Sequence, residues 1–354
     1  MIAEMGIAPL ALLDISAQTQ RLTARSMWNS WLEVVRAHGS LVFASDDDFD
    51  LMKELLAGAD LTPDEKKRWT EMLVFLKDNH RFRIAKPGLR RHLDEIGSPS
   101  EISAVRDRLP LVAVLAREAF ERLYPDSEDG VSAIDDNTSA SITGTVETAP
   151  VMQNVSAIAR KERYPAGAER DAIWRELFQD LTAKTKRVTI VDRYAFAELL
   201  RRQERRTHHT QAEHLGWLFR RIDRYAPPGS RVQLYTQLAY TPEGQQTVLD
   251  LERLLRDAWI PASTGSLRAV DIVAVRWEID KHPHNRHIRF GDSWGFKLEE
   301  GLDRLSRPAV RDPDGFNYSF MWRKEHLDRF KARERLVQND ASAQRTTWTI
   351  RSHD

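Results

Sequence analysis

Residues 187–194 read Arg187-Val-Thr-Ile-Val-Asp-Arg-Tyr194, a short apolar run followed by charged residues and an aromatic ring. Runs of this length rich in valine and isoleucine are typical of a buried strand. An amphipathic helical pattern precedes it at residues 168–184, and strand-like and helical segments alternate after it. This alternation predicts an α/β domain with a mixed, largely parallel sheet covered by helices. Ligands of such sheets bind beyond the carboxyl ends of the strands, where Asp192 and Arg193 are expected.

Further elements of the C-terminal half are predicted from periodicity and turn signals. Strands are predicted at residues 232–235, 270–279, 287–290 and 316–322. Helices are predicted at residues 196–202, 209–225, 241–258, 297–305 and 324–337.

The composition is that of an ordinary globular protein. The chain has 354 residues, of which 41% are hydrophobic and 30% charged, which is enough for two domains with separate cores. Its 53 basic and 53 acidic residues balance, so only local patches argue for a nucleic-acid partner. Cysteine is absent, which excludes disulfides, thiolate zinc sites and thiol catalysis. We expect no secretory signal and no transmembrane segment, and a cytoplasmic location.

The N-terminal half carries weaker signals. Residues 1–125 predict a mostly helical domain with short strands near 41–44 and 81–85, whose role would be to contact a protein partner or act as an effector. Residues 126–160 contain many acids, serines and threonines, and predict an acidic linker. The second domain is placed at residues 161–340, and residues 341–354 are assigned to a tail.

Two features at helix starts have a specific interpretation. Ser45-Asp-Asp-Asp-Phe-Asp50 follows an apolar run, and it either holds a divalent metal ion at a strand end or begins a helix. The helix start is favoured, because no second acidic cluster in this half is placed in the same way. Thr62-Pro-Asp-Glu65 has the spacing of a capping box and predicts a helix running to about Lys77.

Residues 281–297 concentrate the polar chemistry of the C-terminal half. Within them, His284, Arg286, Arg289, Asp292 and Lys297 accompany a strand-like alternation. His284 and Arg286 are two residues apart, so their side chains point the same way in an extended chain. We therefore predict that Asp192, His284 and Arg286 meet at the carboxyl end of the sheet.

Three segments together resemble a known family. They are Val188-Thr-Ile-Val-Asp-Arg-Tyr-Ala-Phe196, His284-Asn-Arg-His-Ile-Arg-Phe-Gly-Asp-Ser-Trp-Gly-Phe-Lys-Leu298 and Gly301-Leu-Asp303. Their order and separation resemble the phospholipase D-like domain at the C-terminus of some microtubule-interacting-and-trafficking proteins, which also has bacterial relatives. The resemblance covers about residues 165–335. It implies a phospholipase D-like fold and a noncatalytic role in binding anionic lipid headgroups.

Active phospholipase D-like enzymes carry a His-x-Lys motif followed by an acid, usually in two copies. Here His284 matches the histidine, Arg286 replaces the lysine, and Asp292 lies one residue later than the expected acid, where Gly291 stands. A second copy is missing, so the resemblance implies catalysis only in a homodimer that joins two half-sites. The candidate catalytic residues are then His284 as nucleophile with Arg286, Asp192 and Asp292.

A basic cluster lies between the two motifs. Residues 201–224 contain seven arginines and three acids, which either form a solvated helix face or attract phosphate groups. The predicted phosphate-binding residues are Arg193, Arg286, Arg289, Lys297, Arg201, Arg202, Arg205 and Arg206. A metal site built on His282, His284 and His287 is disfavoured, because no carboxylate pattern supports it, and no cofactor is predicted.

Together these features predict a phosphate- or polyanion-binding protein. Nucleic acid is favoured over a phospholipid headgroup, because neither a membrane-inserting helix nor a lipidation signal is visible. The expected setting is a bacterial intracellular system, such as one of antiviral defence. The alternatives are a phosphodiesterase or nuclease that uses His284, and a noncatalytic adaptor or anionic-lipid-binding protein.

Overall fold

A computed structural model gives the architecture of the chain. It describes residues 1–13, 21–58, 61–86, 88–89, 92–196, 214–237, 244–278, 281–282, 286–341 and 345–352. The chain divides into two compact units, Met1–Ala159 and Arg160–Asp354, and each contains its own sheet. Among the described residues, no helix is both long and apolar enough to span a lipid bilayer.

The first unit is built on a six-stranded sheet. Its strands are β1 (Ala3–Ile7), β2 (Gly39–Phe43), β3 (Phe82–Ile84), β4 (Leu111–Leu115), β5 (Val131–Asp135) and β6 (Thr138–Ile142). Their spatial order is β3-β2-β1-β4-β6-β5, and all neighbours are parallel except β5 and β6. Strands β1, β2 and β4 are buried along their whole length, as expected for a parallel sheet covered on both faces.

Helices connect the strands of the first unit. They are α1 (Arg21–His38), α2 (Asp46–Gly58), α3 (Pro63–Asp78), α4 (Pro99–Val105), α5 (Arg117–Leu123) and α6 (Pro150–Arg160). The predicted capping box of α3 is confirmed, because Thr62 and Glu65 bind each other's backbone amides. The acidic run after β2 begins α2, and the Ser45 hydroxyl accepts a hydrogen bond from the Asp48 amide at 3.1 Å.

Two predictions for this half are wrong. The unit is an α/β fold rather than a mostly helical domain, and residues 126–160 form β5, β6 and α6 instead of an acidic linker. Strand β6 reads Thr-Ser-Ala-Ser-Ile, and its Thr138, Ser139 and Ser141 are buried although their side chains are polar. Small residues fit between closely packed neighbours, but their low hydropathy resembles that of a linker.

The second unit contains an eight-stranded sheet. Its strands are β7 (Arg163–Tyr164), β8 (Arg187–Val191), β9 (Ser230–Gln237), β10 (Leu267–Val275), β11 (Arg286–Phe290), β12 (Trp294–Leu298), β13 (Phe316–Met321) and β14 (Thr346–Arg351). The order is β14-β10-β9-β8-β11-β12-β13-β7. Only β8, β9 and β10 run parallel to one another. All other neighbouring pairs are antiparallel.

Helices cover the second sheet. They are α7 (residues 170–183, with a π-helical turn at Trp174–Phe178), α8 (His214–Tyr225), α9 (Gly244–Trp259) and α10 (Lys324–Gln338). On one face, Phe178 of α7 packs against Phe290 and Phe296 at centroid distances of 6.0 and 5.1 Å. On the other face, Phe330 of α10 stacks on His287 at 4.2 Å.

Three predictions for the second unit need correction. The sheet is mixed, but most of its pairs are antiparallel, because β11, β12 and β13 are joined by hairpins rather than crossover helices. The predicted helix at residues 297–305 is the end of β12 followed by a short 3₁₀ helix, Leu302–Leu305. Residues 341–354 are more than a tail, since β14 pairs with β10.

Candidate functional site

Asp192 and Arg286 meet at one edge of the second sheet. Asp192 directly follows β8, and Arg286 begins β11, which runs antiparallel to β8 with His287 opposite Val191. The end of one strand therefore lies beside the start of the other. The Nε of Arg286 is 3.6 Å from Oδ1 of Asp192, so this predicted pair is brought together.

Asp192 is a fully buried acid with several partners. Its Oδ1 accepts a hydrogen bond from the Tyr194 amide at 2.9 Å, and its Oδ2 accepts one from the Leu302 amide at 3.0 Å. Burial raises the pKa of the Asp192 carboxyl to about 6, although these two amides and Arg286 act in the opposite direction. This carboxyl therefore changes charge closer to neutral pH than an ordinary aspartate does.

Gly301 allows the backbone of residues 301–302 to lie close to Asp192 and Arg286. Its φ is +96°, a conformation that favours glycine, and the next residue supplies the amide that binds Asp192. A Cβ at this position would lie 2.8 Å from Cδ of Arg286 and 2.9 Å from Oδ2 of Asp192. A side chain at residue 301 would therefore disturb both members of the pair.

Two guanidinium groups lie close to one exposed aromatic ring at the same edge. The Cζ atoms of Arg193 and Arg286 lie 5.1 and 5.2 Å from the ring centroid of Tyr194, within cation–π range. Arg193 is also held by Oε1 of Gln237, which accepts a hydrogen bond from its Nε at 2.6 Å. Tyr194 is 44% exposed, and the side chain of Arg286 is 19% exposed.

This arrangement is suited to a bound oxyanion. Guanidinium groups bind phosphate and carboxylate oxygens through paired N–H donors, and a rigid neighbour reduces the entropy lost on binding. Tyr194, Gln237 and Asp192 restrain the two arginines, and Asp192 offsets part of their charge. No group of three or more metal-ligating side chains occurs among the described residues.

Arg289 does not belong to this site. Its side chain is buried, and its Nε and Nη2 donate to the two carboxylate oxygens of Glu334 on α10 at 2.8 and 2.6 Å. Burial alone would raise the pKa of Glu334, but hydrogen bonds from Arg289 and His287 lower it to about 2. The prediction of Arg289 as a phosphate ligand is wrong, because its charge already neutralises a buried acid.

Asp292 and Lys297 also lie apart from Arg286. Asp292 follows Phe290, which pairs with Val188 near the start of β8, so it lies at the opposite edge of the sheet and contacts Lys331 at 3.0 Å. Lys297 pairs with His287 and therefore shares the α10 face, whereas Arg286 points to the other face. Asp292 and Asp192 consequently do not form one catalytic group.

The remaining candidate residues either lie outside the described residues or are buried with other partners. His284, Arg201, Arg202, Arg205 and Arg206 lie outside the described residues. His282 is buried and contacts Asp340 through Nε2 at 2.8 Å, while its Nδ1 accepts the Glu278 amide. His287 is buried against Phe330 and contacts Glu334 at 3.2 Å.

A second titratable pair lies in the first unit. Asp48, in the first turn of α2, is buried and its Oδ1 is 2.7 Å from Nδ1 of His92. Burial raises the pKa of Asp48, and the bond to Asp48 raises the pKa of His92. This contact ties the loop after β3 to α2, and it gives His92 a partner that sequence spacing did not suggest.

The comparisons with known proteins do not assign the chain. No family model and no curated protein matches it. One solved structure, an NDP-N-acetyl-D-galactosaminuronic acid dehydrogenase from Methanosarcina mazei Go1, aligns with 10% identity over 88% of this chain and 42% of that chain. The TM-score is 0.13, at which the two folds are not shown to be related.

Sequence reasoning assigned no role to three residues of the site. Tyr194 was part of the motif after β8, and its position at a strand end beside two basic residues was the available signal. Gly301 and Leu302 belonged to the third motif, but nothing in their spacing indicated that the Leu302 amide binds Asp192. That contact depends on how a loop more than a hundred residues away crosses the strand end.

Proposed function

We propose that the second unit binds a phosphate-bearing polyanion at the carboxyl edge of its sheet, through Arg193 and Arg286. Nucleic acid is the favoured ligand. The observation that carries the proposal is that both guanidinium groups lie within 5.2 Å of the exposed ring of Tyr194, at the end of a central parallel strand.

The physical basis is a pair of guanidinium groups that are already ordered beside one exposed ring. Arg193 and Arg286 repel each other, and holding them near one ring costs free energy that an oxyanion between them would recover. Tyr194 adds a hydroxyl group and an aromatic face, both of which suit a nucleotide better than a simple headgroup. Asp192 lies beside Nε of Arg286 at 3.6 Å, and one terminal nitrogen, Nη1, donates to the Glu299 carbonyl at 3.4 Å.

The test is binding of a fluorescent oligothymidylate of about 16 nucleotides, measured by anisotropy at low salt. We expect Arg286→Ala and Arg193→Ala each to weaken binding by about tenfold, and to reduce the salt slope by about 0.7. The matched control is Arg187→Ala, because Arg187 is an exposed arginine at the other end of the same strand. It should leave affinity within about twofold of wild type.

The result that would overturn the proposal is no binding at low salt, or equal losses from all three variants. Equal losses would indicate diffuse attraction to net charge instead of a site. Binding to vesicles containing phosphatidylserine, lost with the same two variants while oligothymidylate fails to bind, would assign the site to lipid headgroups.

We also propose that the arginine cluster at Arg201, Arg202, Arg205 and Arg206 extends this contact along the polyanion. The cluster lies outside the described residues, and its net positive charge supports the proposal. Charge reversal at Arg205 and Arg206 should weaken binding equally for all base sequences and reduce its salt dependence. Unchanged affinity would limit the contact to the strand edge.

A second candidate function is a phosphodiesterase that uses His284. It is favoured by the buried carboxyl of Asp192 beside Arg286. Burial raises the pKa of this carboxyl to about 6, and a group that titrates near neutrality suits proton transfer. Hydrolysis of bis(p-nitrophenyl) phosphate should then be abolished by His284→Ala, while oligothymidylate binding remains. An equal hydrolysis rate in wild type and His284→Ala would exclude this function.

A further inference from the structure

The carboxyl edge of the second sheet contains a buried acid that a bound phosphate would have to approach. Only 1% of the surface of Asp192 is exposed. The Oδ1 atom of Asp192 lies 3.6 Å from Nε of Arg286. Its two oxygens are fixed by the amides of Tyr194 and Leu302. The carboxyl therefore cannot turn away when a second negative group reaches Arg286.

The charged groups around Asp192 come from the elements packed against it. Arg286 on β11 favours the ionised carboxylate, and Asp303 in the 3₁₀ helix after Gly301 opposes it. On its own segment, Asp192 receives the Tyr194 amide, which favours the ionised form. Burial and Asp303 favour the protonated carboxyl, whereas the two backbone amides and Arg286 favour the ionised one.

We propose that Asp192 is a positioning residue that competes with bound phosphate for Arg286, so that phosphate binding is accompanied by uptake of one proton at Asp192. This inference rests on the function proposed above. The proton comes from solvent and is held on a carboxylate oxygen of Asp192, and no covalent bond of the ligand changes.

The coupling follows from like-charge repulsion in a buried place. A phosphate on the terminal nitrogens of Arg286 diverts the positive charge that stabilises Asp192 and adds a negative charge close by, and both effects disfavour the ionised carboxylate. Because linkage is reciprocal, protonation of Asp192 must strengthen phosphate binding by the same factor. Burial already places the pKa of Asp192 at about 6, so a small further rise brings proton uptake into the neutral range.

The experiment measures oligothymidylate affinity and proton uptake with the full chain. Neither phosphodiesters nor thymine rings titrate between about pH 5.5 and 7.5, so a pH effect in this window belongs to the protein. For wild type we expect affinity to rise about tenfold from pH 7.5 to pH 5.5. Titration calorimetry in two buffers of different ionisation enthalpy should show uptake of up to one proton per site.

Asp192→Asn removes the titrating charge but keeps only one of the two accepting oxygens, because an amide nitrogen cannot accept the second backbone hydrogen bond. We expect it to bind more tightly than wild type at pH 7.5 and to lose most of the pH dependence, whereas a structural role alone would not flatten a pH profile. Asp292→Asn is the matched control, since Asp292 lies at the opposite edge of the sheet and should keep the wild-type profile.

The outcomes separate this inference from the proposed function. If wild type binds with an affinity that does not change with pH, or if Asp192→Asn keeps the wild-type profile, the inference is wrong and the binding site stands. If no binding occurs at any pH, the proposed function fails first. Should Asp192→Asn not fold, proton uptake is measured in His284→Asn; uptake that disappears there would assign the proton to His284 and overturn the inference.

Discussion

At the scale of single residues, the contact between Arg289 and Glu334 joins two buried and oppositely charged groups of the second unit. Both side chains are at least 93% buried, and two hydrogen bonds join them. A buried pair contributes little net stability compared with apolar residues, but breaking it leaves a lone buried charge. The pair therefore fixes how α10 docks on β11.

We predict that Glu334→Ala lowers the free energy of unfolding by about 3–5 kcal/mol, because Arg289 is left without its carboxylate. Asp292→Ala is the control. It also removes a carboxylate bound to Arg289, but that carboxylate is 59% exposed, so a loss of only about 0–1 kcal/mol is expected. Urea unfolding followed by tryptophan fluorescence measures both, and equal losses would show that burial does not decide the effect.

The same cluster predicts acid sensitivity. Hydrogen bonds from Arg289 and His287 outweigh burial and hold the folded-state pKa of Glu334 near 2, below its ordinary value of 4.5. Above pH 4.5 both folded and unfolded states are ionised and the stabilisation is complete. As pH falls from 4.5 towards 2, only the unfolded state gains a proton, so stability is lost. Burial lowers the pKa of His287, which adds a loss in the same direction below pH 6.5.

Asp192 acts in the opposite sense, because its raised pKa makes the folded state bind the proton first between pH 6 and 3.8. The measurement is therefore a comparison of thermal midpoints between wild type and Glu334→Gln from pH 6 down to pH 2, the range that covers both groups. The two midpoints should converge as pH falls below 4.5. A constant difference would show that Glu334 titrates normally in the folded protein.

Of the predicted site residues, the structure brings Asp192 and Arg286 together but places Arg289 elsewhere. Asp192 and Arg286 meet because a strand end and an antiparallel strand start are adjacent, which local patterns suggested. Arg289 was grouped with them by charge, although three residues along a strand place its side chain on the other face. Its partner Glu334 lies 45 residues away on a helix, and nothing local identifies that contact.

At the scale of elements, the best predicted feature is the start of α3. Thr62 and Glu65 form a reciprocal pair of side chain to backbone bonds, with Pro63 in the first turn. These interactions are local in sequence, so spacing alone indicates them. Strands β1 and β6 were not predicted, although both are buried. The glycine in β1 and the small polar residues in β6 lack the apolar pattern that indicates a buried strand.

We predict that Thr62→Ala destabilises the chain by about 1 kcal/mol, because the first turn of α3 loses its cap. Thr70→Ala in the same helix is the matched control. The Thr70 hydroxyl donates to the Lys66 carbonyl on the exposed surface, and alanine has the higher helix propensity, so no loss is expected. Thermal unfolding of both variants measures the two changes in stability. An equal loss of stability in both would show that the cap contributes nothing.

At the scale of the whole molecule, the chain consists of two α/β units that meet in sequence at residues 159 and 160. Composition suggested a break before that point, because residues 126–160 are rich in acids and small polar residues. These residues instead complete the first sheet, with β6 bonded to β4 on one side and β5 on the other.

We therefore predict that limited proteolysis of the full chain does not cut within residues 131–159, since backbone in a sheet and a packed helix does not fit a protease. Ala140→Asp should make this region cleavable, because Ala140 is fully buried in β6. Ala133→Asp places the same change at an exposed position of the paired strand and should remain protected. Primary cleavage of wild type inside these residues would contradict the fold.

The claim that Arg193 and Arg286 form an anion site is tested most directly by a crystal structure with tungstate, a dense analogue of phosphate. The account predicts an anomalous peak beside Tyr194, with tungstate oxygens about 3 Å from guanidinium nitrogens of both arginines. The peak should disappear in Arg286→Ala and persist in Arg187→Ala. Tungstate bound elsewhere at saturation, with the strand edge empty in wild type, would contradict the site.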